Sequence, residues 1–244
     1  MIIRTFGDSG RQRECEKRLA EKGSEYQKLI LLPIPTSRDG VTVTGTVADF
    51  SLVCDEVVPG TLVAGYNIPE QLAEGLIEKG AEIYDAGLDE QFLVENAEIT
   101  ARGALGKILC ELKEDISGIK VAIVGYGRIG QRLSRLLLFL GADVTVFSRK
   151  EETCTELALA GVNARRLTEN PDFSDFLLIV NTAPACIMDT DSAREICRTA
   201  KIMDLASGNN FPGVTEVIKL SSVPDSMYPI TAGRIYARYI SNYL

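Results

Sequence analysis

The sequence predicts an α/β protein of two domains: a parallel sheet with helices on both faces, preceded by a smaller N-terminal α/β domain. Three observations carry that prediction. The chain has 244 residues, enough for two modest domains at about 150 residues each. Its apolar fraction is 45% against 25% charged, which suits folded cores rather than a disordered chain. Short apolar runs alternate with helical patterns, the rhythm of βα units, and most regularly after residue 118.

MIIRTF (1–6) reads as a first strand and RQRECEKRLAEKG (11–23) as a charged helix closed by Gly23. KLILLPIP (28–35) is a buried strand ended by two prolines, which cannot donate ladder hydrogen bonds. TSRDGVTVTG is an excursion or hairpin. VPGTLVAGYN (58–67) holds the next strand, PEQLAEGLIEKG (69–80) a helix and AEIYDA (81–86) another strand, which sets the first domain at 1–95. Residues 96–117 form a connecting helix, with Ala101, Leu105, Ile108, Leu109 and Leu112 as its apolar stripe and Gly118 as its stop.

The second domain, 118–230, runs KVAIVG strand, RIGQRLSRLLLFLG helix, ADVTVFSRK strand, KEETCTELALAG helix and NARRLTE short strand. FSDFLLIVNTAP strand, DSAREICRT helix and KIMDLAS strand follow, and VTEVIKL opens a last αβ connection. Residues 231–244 are a final helix expected to return toward the first domain.

Composition excludes several chemistries. There is no histidine, so a Ser-His-Asp triad, a histidine base and a histidine-ligated zinc are ruled out. Lys plus Arg is 26 against Asp plus Glu at 34, a net charge of −8, which argues against a broad grip on nucleic acid or an anionic membrane. No apolar run reaches the roughly 20 residues of a membrane span. The first residues lack the apolar core of a signal peptide. Six cysteines without CxxC spacing suggest reduced, buried thiols in a cytoplasmic protein, and no metal site is expected.

The informative stretch is KVAIVGYGRIGQRLSRLL (120–137). Gly125, Gly127 and Gly130 form G-x-G-x-x-G between a hydrophobic strand and a helix, with Tyr126, Arg128 and Ile129 between them. The first glycine permits the tight turn, the second the approach of a pyrophosphate, and the third close packing of helix on sheet. The helix N-terminus adds amide donors and a favourable dipole. The domain is therefore read as a Rossmann-type dinucleotide site. At the end of the next strand stand Ser148, Arg149 and Lys150, where an NAD site usually has an acid. A hydroxyl and two cations suit the 2′-phosphate of NADP, with NAD as the second choice. Strand ends also place Asn181, Thr182, Ala183, Pro184, Ala206 and Ser207 toward the cofactor, with Asp204 in a structural role. Thr100, Arg102, Lys107 and Thr231 are candidate substrate contacts, and no residue is singled out as catalytic.

Over most of its length the chain resembles the dipicolinate synthase A-chain family. The matching stretches are ILLPIPTSRDG (30–40), NAEITARGAL (96–105), VAIVGYGRIGQRLSRLLLFLGADVTVFSR (121–149), LIVNTAPACIMD (178–189), IMDLAS (202–207) and YPITAGRIYA (228–237). The resemblance implies two α/β domains with a cleft between them and pyridine-nucleotide-dependent oxidation of a dihydrodipicolinate-like diacid to dipicolinate during spore formation. It also implies a partner, the B subunit of the synthase, and a homo-oligomer is expected. Other readings are an NADP-dependent enzyme for another small carboxylate or imine, and an inactive nucleotide-binding protein with a regulatory or assembly role. The chain departs from the family at Arg102, where an acid is common, and at Gly208-Asn209-Asn210, where a Pro-Gly-Gly loop is common. Only SEYQ (24–27) joins the first helix to the next strand, so a strand usual in the family is missing.

Overall fold

The computed structural model describes residues 1–169 and 171–244, which divide into two compact units. One comprises Met1–Asn96 with Pro224–Leu244, the other Ala97–Val223.

The smaller unit has a parallel sheet in the order β1-β2-β3-β4, formed by Ile2–Thr5, Lys28–Leu31, Thr61–Gly65 and Glu82–Asp85. Its first three helices are α1 (Gly10–Leu19), α2 (Phe50–Asp55) and α3 (Glu70–Glu78). Alternate residues of β2 point to opposite faces, as strand geometry requires. Leu29 and Leu31 pack with Cys15 and Leu19 of α1, whereas Ile30 packs with Val53 of α2 and Leu72 and Leu76 of α3. The strands step in one direction across the sheet while α1 lies on one face and α2 and α3 on the other. The β1–α1–β2 connection therefore has the opposite hand to the other two, a departure from the near-uniform right-handedness of such crossovers. Of the two readings of 36–45, excursion or hairpin, the structure shows the excursion: an irregular loop with an isolated bridge, Thr42 to Asp49.

The long helix α4 runs Glu90–Glu111, so it starts earlier than residue 96. Its buried positions are Phe92, Ala97, Ile99, Thr100, Ala101, Gly103, Ala104 and Ile108, whereas Leu109 is exposed. Of the expected stripe, Ala101 and Ile108 are buried, Leu105 and Leu112 are half-buried and only Leu109 is exposed, and small residues at 97, 101, 103 and 104 share the covered face with Phe92 and Ile99.

The larger unit has six parallel strands in the order β10-β9-β8-β5-β6-β7. These are Lys120–Val124 (β5), Asp143–Ser148 (β6), Asn163–Arg166 (β7), Leu178–Asn181 (β8), Lys201–Asp204 (β9) and Ile218–Lys219 (β10). Helices α5 (Arg128–Phe139), α6 (Glu151–Leu159) and α7 (Thr190–Ile196) connect them. This is the doubly wound order with its switch point between β5 and β8, where strand order reverses and ligands bind. No helix joins β9 to β10, contrary to the reading of VTEVIKL as an αβ connection; Phe211 and Val214 fill the core as loop residues instead.

Helices α8 (Val223–Met227) and α9 (Pro229–Ile240) close the chain. Tyr236, Ala237 and Ile240 of α9 join the core around Cys15 and Phe92. A Cβ on Gly233 would stand 2.6 Å from the Arg11 carbonyl oxygen, so α9 and α1 touch backbone to backbone there. Of the six cysteines expected to be buried, only Cys15 and Cys154 are; Cys110 and Cys186 are exposed. Burial pushes the Cys15 thiol pKa up. No described helix is long and apolar enough to cross a membrane.

Candidate functional site

The glycine-rich turn sits at the C-terminal end of β5. Gly125 has φ +93°, and its N–H donates to the Phe147 carbonyl of β6 at 2.9 Å. A Cβ at Gly130 would lie 2.3 Å from the Gly125 carbonyl oxygen, so only glycine lets α5 start this close to the strand. At Gly127, the N-cap of α5, an added Cβ would meet nothing within 4 Å among the described residues, and none of their side chains caps the helix. The first amides of α5 are thus left without a capping side chain at an open position.

That position faces a cavity of about 510 Å³, within the 300–1,000 Å³ usual for small-molecule sites. Gly125, Tyr126 and Gly127 form one wall, Ser148, Arg149 and Lys150 a second, and Ala183 and Pro184 a third. The structure therefore brings eight of the sequence-selected cofactor residues around one space. Ser148 is buried and its Oγ accepts from the Lys150 N–H at 3.2 Å, while Arg149 and Lys150 are exposed. Arg128 and Ile129 open α5 but do not line the cavity.

Asn181 and Thr182 have different neighbours. Asn181 is fully buried, and its Nδ2 donates to Asp204 Oδ1 at 2.9 Å. Thr182 Oγ1 donates to the carbonyls of Val124 and Gly125 at 3.0 and 3.2 Å, bracing the glycine turn from behind. Both shape the wall rather than line it. Ala206 is buried beyond β9 and Ser207 is exposed.

Sequence reading missed Gln131, Thr153 and Glu156, which also line the cavity. The signal was available for Gln131, one residue past the motif, whose Nε2 donates to the Tyr126 carbonyl at 3.2 Å. Thr153 and Glu156 lie one helical turn apart on α6, a spacing that only acquires meaning once α6 is placed beside the turn. Glu156 is the one carboxylate among the described lining residues.

Of the substrate candidates, Thr100, Arg102 and Lys107 belong to the larger unit and Thr231 to the smaller. Thr100 is buried on α4. Arg102 is exposed and pairs with Glu98 at 3.0 Å, one turn back on the same helix. Arg132 approaches the same carboxylate at 3.5 Å. Thr231 is exposed on α9 in the smaller unit, and Lys107 is exposed on α4. The smaller unit also holds a buried cation on its charged first helix. Arg11 is buried, its guanidinium donates to Asn96 Oδ1 at 3.3 Å, and its Nε and the Tyr236 hydroxyl have no hydrogen-bond partner among the described residues. Burial lowers the Arg11 pKa.

Residues 98–209 match the family model for the D-isomer specific 2-hydroxyacid dehydrogenase NAD binding domain. The dipicolinate synthase A chain of Bacillus subtilis (strain 168) is 27% identical over 166 residues, covering 64% of this chain and 55% of that protein. The match thus spans about half the length of that relative. Among solved structures, the dipicolinate synthase A chain from Bacillus halodurans superposes with a TM-score of 0.77 at 19% identity, covering 98% of this chain and 96% of that one. A transhydrogenase from Sinorhizobium meliloti shares the fold at a TM-score of 0.61 and 13% identity, with coverage of 100% and 92%. An NAD-binding domain with a dehydrogenase-like fold is present.

Proposed function

We propose that this chain, which is similar in sequence and fold to dipicolinate synthase A chains, oxidises a dihydrodipicolinate-like diacid using NADP. The observation that carries the reading is the uncapped glycine turn opening on a cavity whose β6 rim is Ser148-Arg149-Lys150. The fit to a dinucleotide rests on space as well as charge: Gly127 leaves room for a pyrophosphate against the α5 amides. Arg149 and Lys150 supply the positive charge that an adenosine 2′-phosphate requires, and a carboxylate at that strand end would repel it. NAD remains the second choice, and Glu156 is the lining group that would favour it.

Conversion of the dihydropyridine ring to the pyridine removes a hydride and a proton. The bound nicotinamide supplies the hydride acceptor. The chain contributes binding and alignment, which is most of what hydride transfer asks of a protein. With no histidine in the chain, the proton leaves to water or to an Asp, Glu, Lys, Tyr or Cys side chain. Aromatisation favours the product, so an acid–base relay is not needed to drive the step. The B subunit of such a synthase is the proposed partner, in keeping with the name of the Bacillus relative.

A second reading, a nucleotide-binding regulatory protein without turnover, draws on Arg102, whose guanidinium is already paired with Glu98 rather than turned to an anionic ligand. One experiment separates them. Freshly generated dihydrodipicolinate is mixed with the purified chain and NADP, with and without the candidate B partner, and nicotinamide absorbance is followed. Reduction of NADP that depends on the chain supports the enzyme. Tight nucleotide binding with no reduction under either condition supports the regulator.

A further inference from the structure

We propose that Lys219 is a positioning residue for the nicotinamide half of the cofactor site, acting through a clamp on Asp204 that fixes the loop after β9. The inference rests on the dinucleotide reading above and deepens it.

Asp204, the last residue of β9, is 1% exposed and carries an unusual load of hydrogen bonds. Asn181 Nδ2 donates to its Oδ1 at 2.9 Å and the Ala206 N–H at 3.1 Å. Asn210 Nδ2 reaches both carboxylate oxygens, at 3.2 and 3.1 Å. Lys219 Nζ, from β10, donates to Oδ2 at 2.6 Å. The same ammonium also donates to the carbonyls of Ala206 at 2.6 Å and Gly208 at 2.8 Å. Its three protons are therefore matched to three acceptors, one on the strand and two on the loop 206–208. Asn210 adds a bond to the Ser207 carbonyl at 3.2 Å.

The clamp reaches the cavity through Asn181. While its Nδ2 is held by Asp204, its Oδ1 accepts from the Ala183 N–H at 3.1 Å, and Ala183 is cavity wall. The ends of β8 and β9 are thus tied through one buried carboxylate. In this sheet order a dinucleotide lies across the switch point, its adenosine over the β5–β6 half and its nicotinamide over the β8–β9 half. The loop that Lys219 holds lies on the nicotinamide side, whereas Arg149 and Lys150 lie at the end of β6 on the adenosine side. A cation that merely compensated Asp204 would not need two loop carbonyls at hydrogen-bond distance.

The test compares whole cofactors with fragments that lack nicotinamide. The full chain, Lys219→Met and Lys219→Arg are titrated calorimetrically with NADP, NAD, 2′-phospho-ADP-ribose and ADP-ribose. The expected result is that Lys219→Met weakens the preferred dinucleotide at least tenfold and its matching fragment less than twofold, with Lys219→Arg recovering most of the loss. If Lys219→Met does not fold, Asn210→Ala, which releases the same loop while keeping Lys219, is expected to give the same split. Equal weakening of dinucleotide and fragment, or no weakening of either, overturns the positioning role while leaving the cofactor reading intact. A wild-type chain that binds none of the four ligands overturns the cofactor reading, and the clamp's role with it.

Discussion

In both units the first strand runs into a glycine at positive φ, Gly7 at +95° in the smaller and Gly125 at +93° in the larger, and a helix follows within a few residues. In the smaller unit the chain closes that helix itself. Ser9 accepts from the Gln12 N–H, and the Gln12 side chain accepts from the Ser9 N–H at 3.3 Å, a complete capping box. The Gln12 amide also donates to the Phe6 carbonyl at 2.5 Å, and a Cβ on Gly7 would meet Gln12 Oε1 at 2.6 Å. The larger unit has no such side chain: Gly127 caps α5 with backbone alone and looks onto the cavity. Orphan amides at a helix start are met by side chains, water or ligands. A βα turn becomes an anion receptor where the sequence withholds the cap, and a structural joint where it supplies one.

The largest expected effect comes from filling the open turn. Gly127→Asp would place a carboxylate in empty space, so the unit should fold with little change in melting temperature. Dinucleotide affinity should fall by about 100-fold or more, near 2.7 kcal/mol, because the new side chain occupies the pyrophosphate position and repels it. Titration of folded wild type and variant measures this. Equal affinities would mean that the open turn and the capped one do not differ in function.

Much of this contrast is legible in the residues alone. Ser148, Arg149 and Lys150 stand out because strand ends in a parallel sheet are predictable from apolar runs, and the glycine spacing marks the turn. The short link at SEYQ, which reads as a lost strand, falls in the connection of reversed hand, so the sequence locates the irregularity without revealing its form. The roles of Asn181 and Thr182 are not legible, because a polar residue at a strand end looks the same whether it faces a ligand or a buried neighbour. Asp204 pairs with Asn181, 23 positions away, and with Lys219, 15 positions away. Arg11 shows the same limit from the other side: a charged helix reads as solvated until α9 is known to lie against it.

The next effect sharpens the electrostatic side of the comparison. Arg149→Ala should weaken NADP binding by about 1.5 kcal/mol, roughly tenfold, a figure at the low end for charge-assisted bonds because the side chain is exposed. NAD binding should change little, since it lacks the 2′-phosphate. Calorimetry with both nucleotides reads the difference. A uniform loss, or a wild type that strongly prefers NAD, would move cofactor choice away from the β6 rim and toward Glu156.

The smallest effect belongs to the capped turn. Ser9→Ala removes the side chain that accepts from the Gln12 N–H and leaves Gln12 as half of a capping box. Loss of such a cap costs about 1 kcal/mol, which for a unit of this size lowers the melting temperature by roughly 4 °C. The cost should fall on α1 and on the core it shares with α9, where Cys15, Leu19 and Tyr236 meet. Hydrogen exchange resolved by peptide should show faster exchange across α1 and unchanged exchange across α5. Nucleotide affinity should stay within twofold of wild type, because the Ser9 turn has no ligand to lose. A Ser9→Ala variant that kept its stability but lost nucleotide affinity would reverse the assignment of the two turns, making the capped one the receptor.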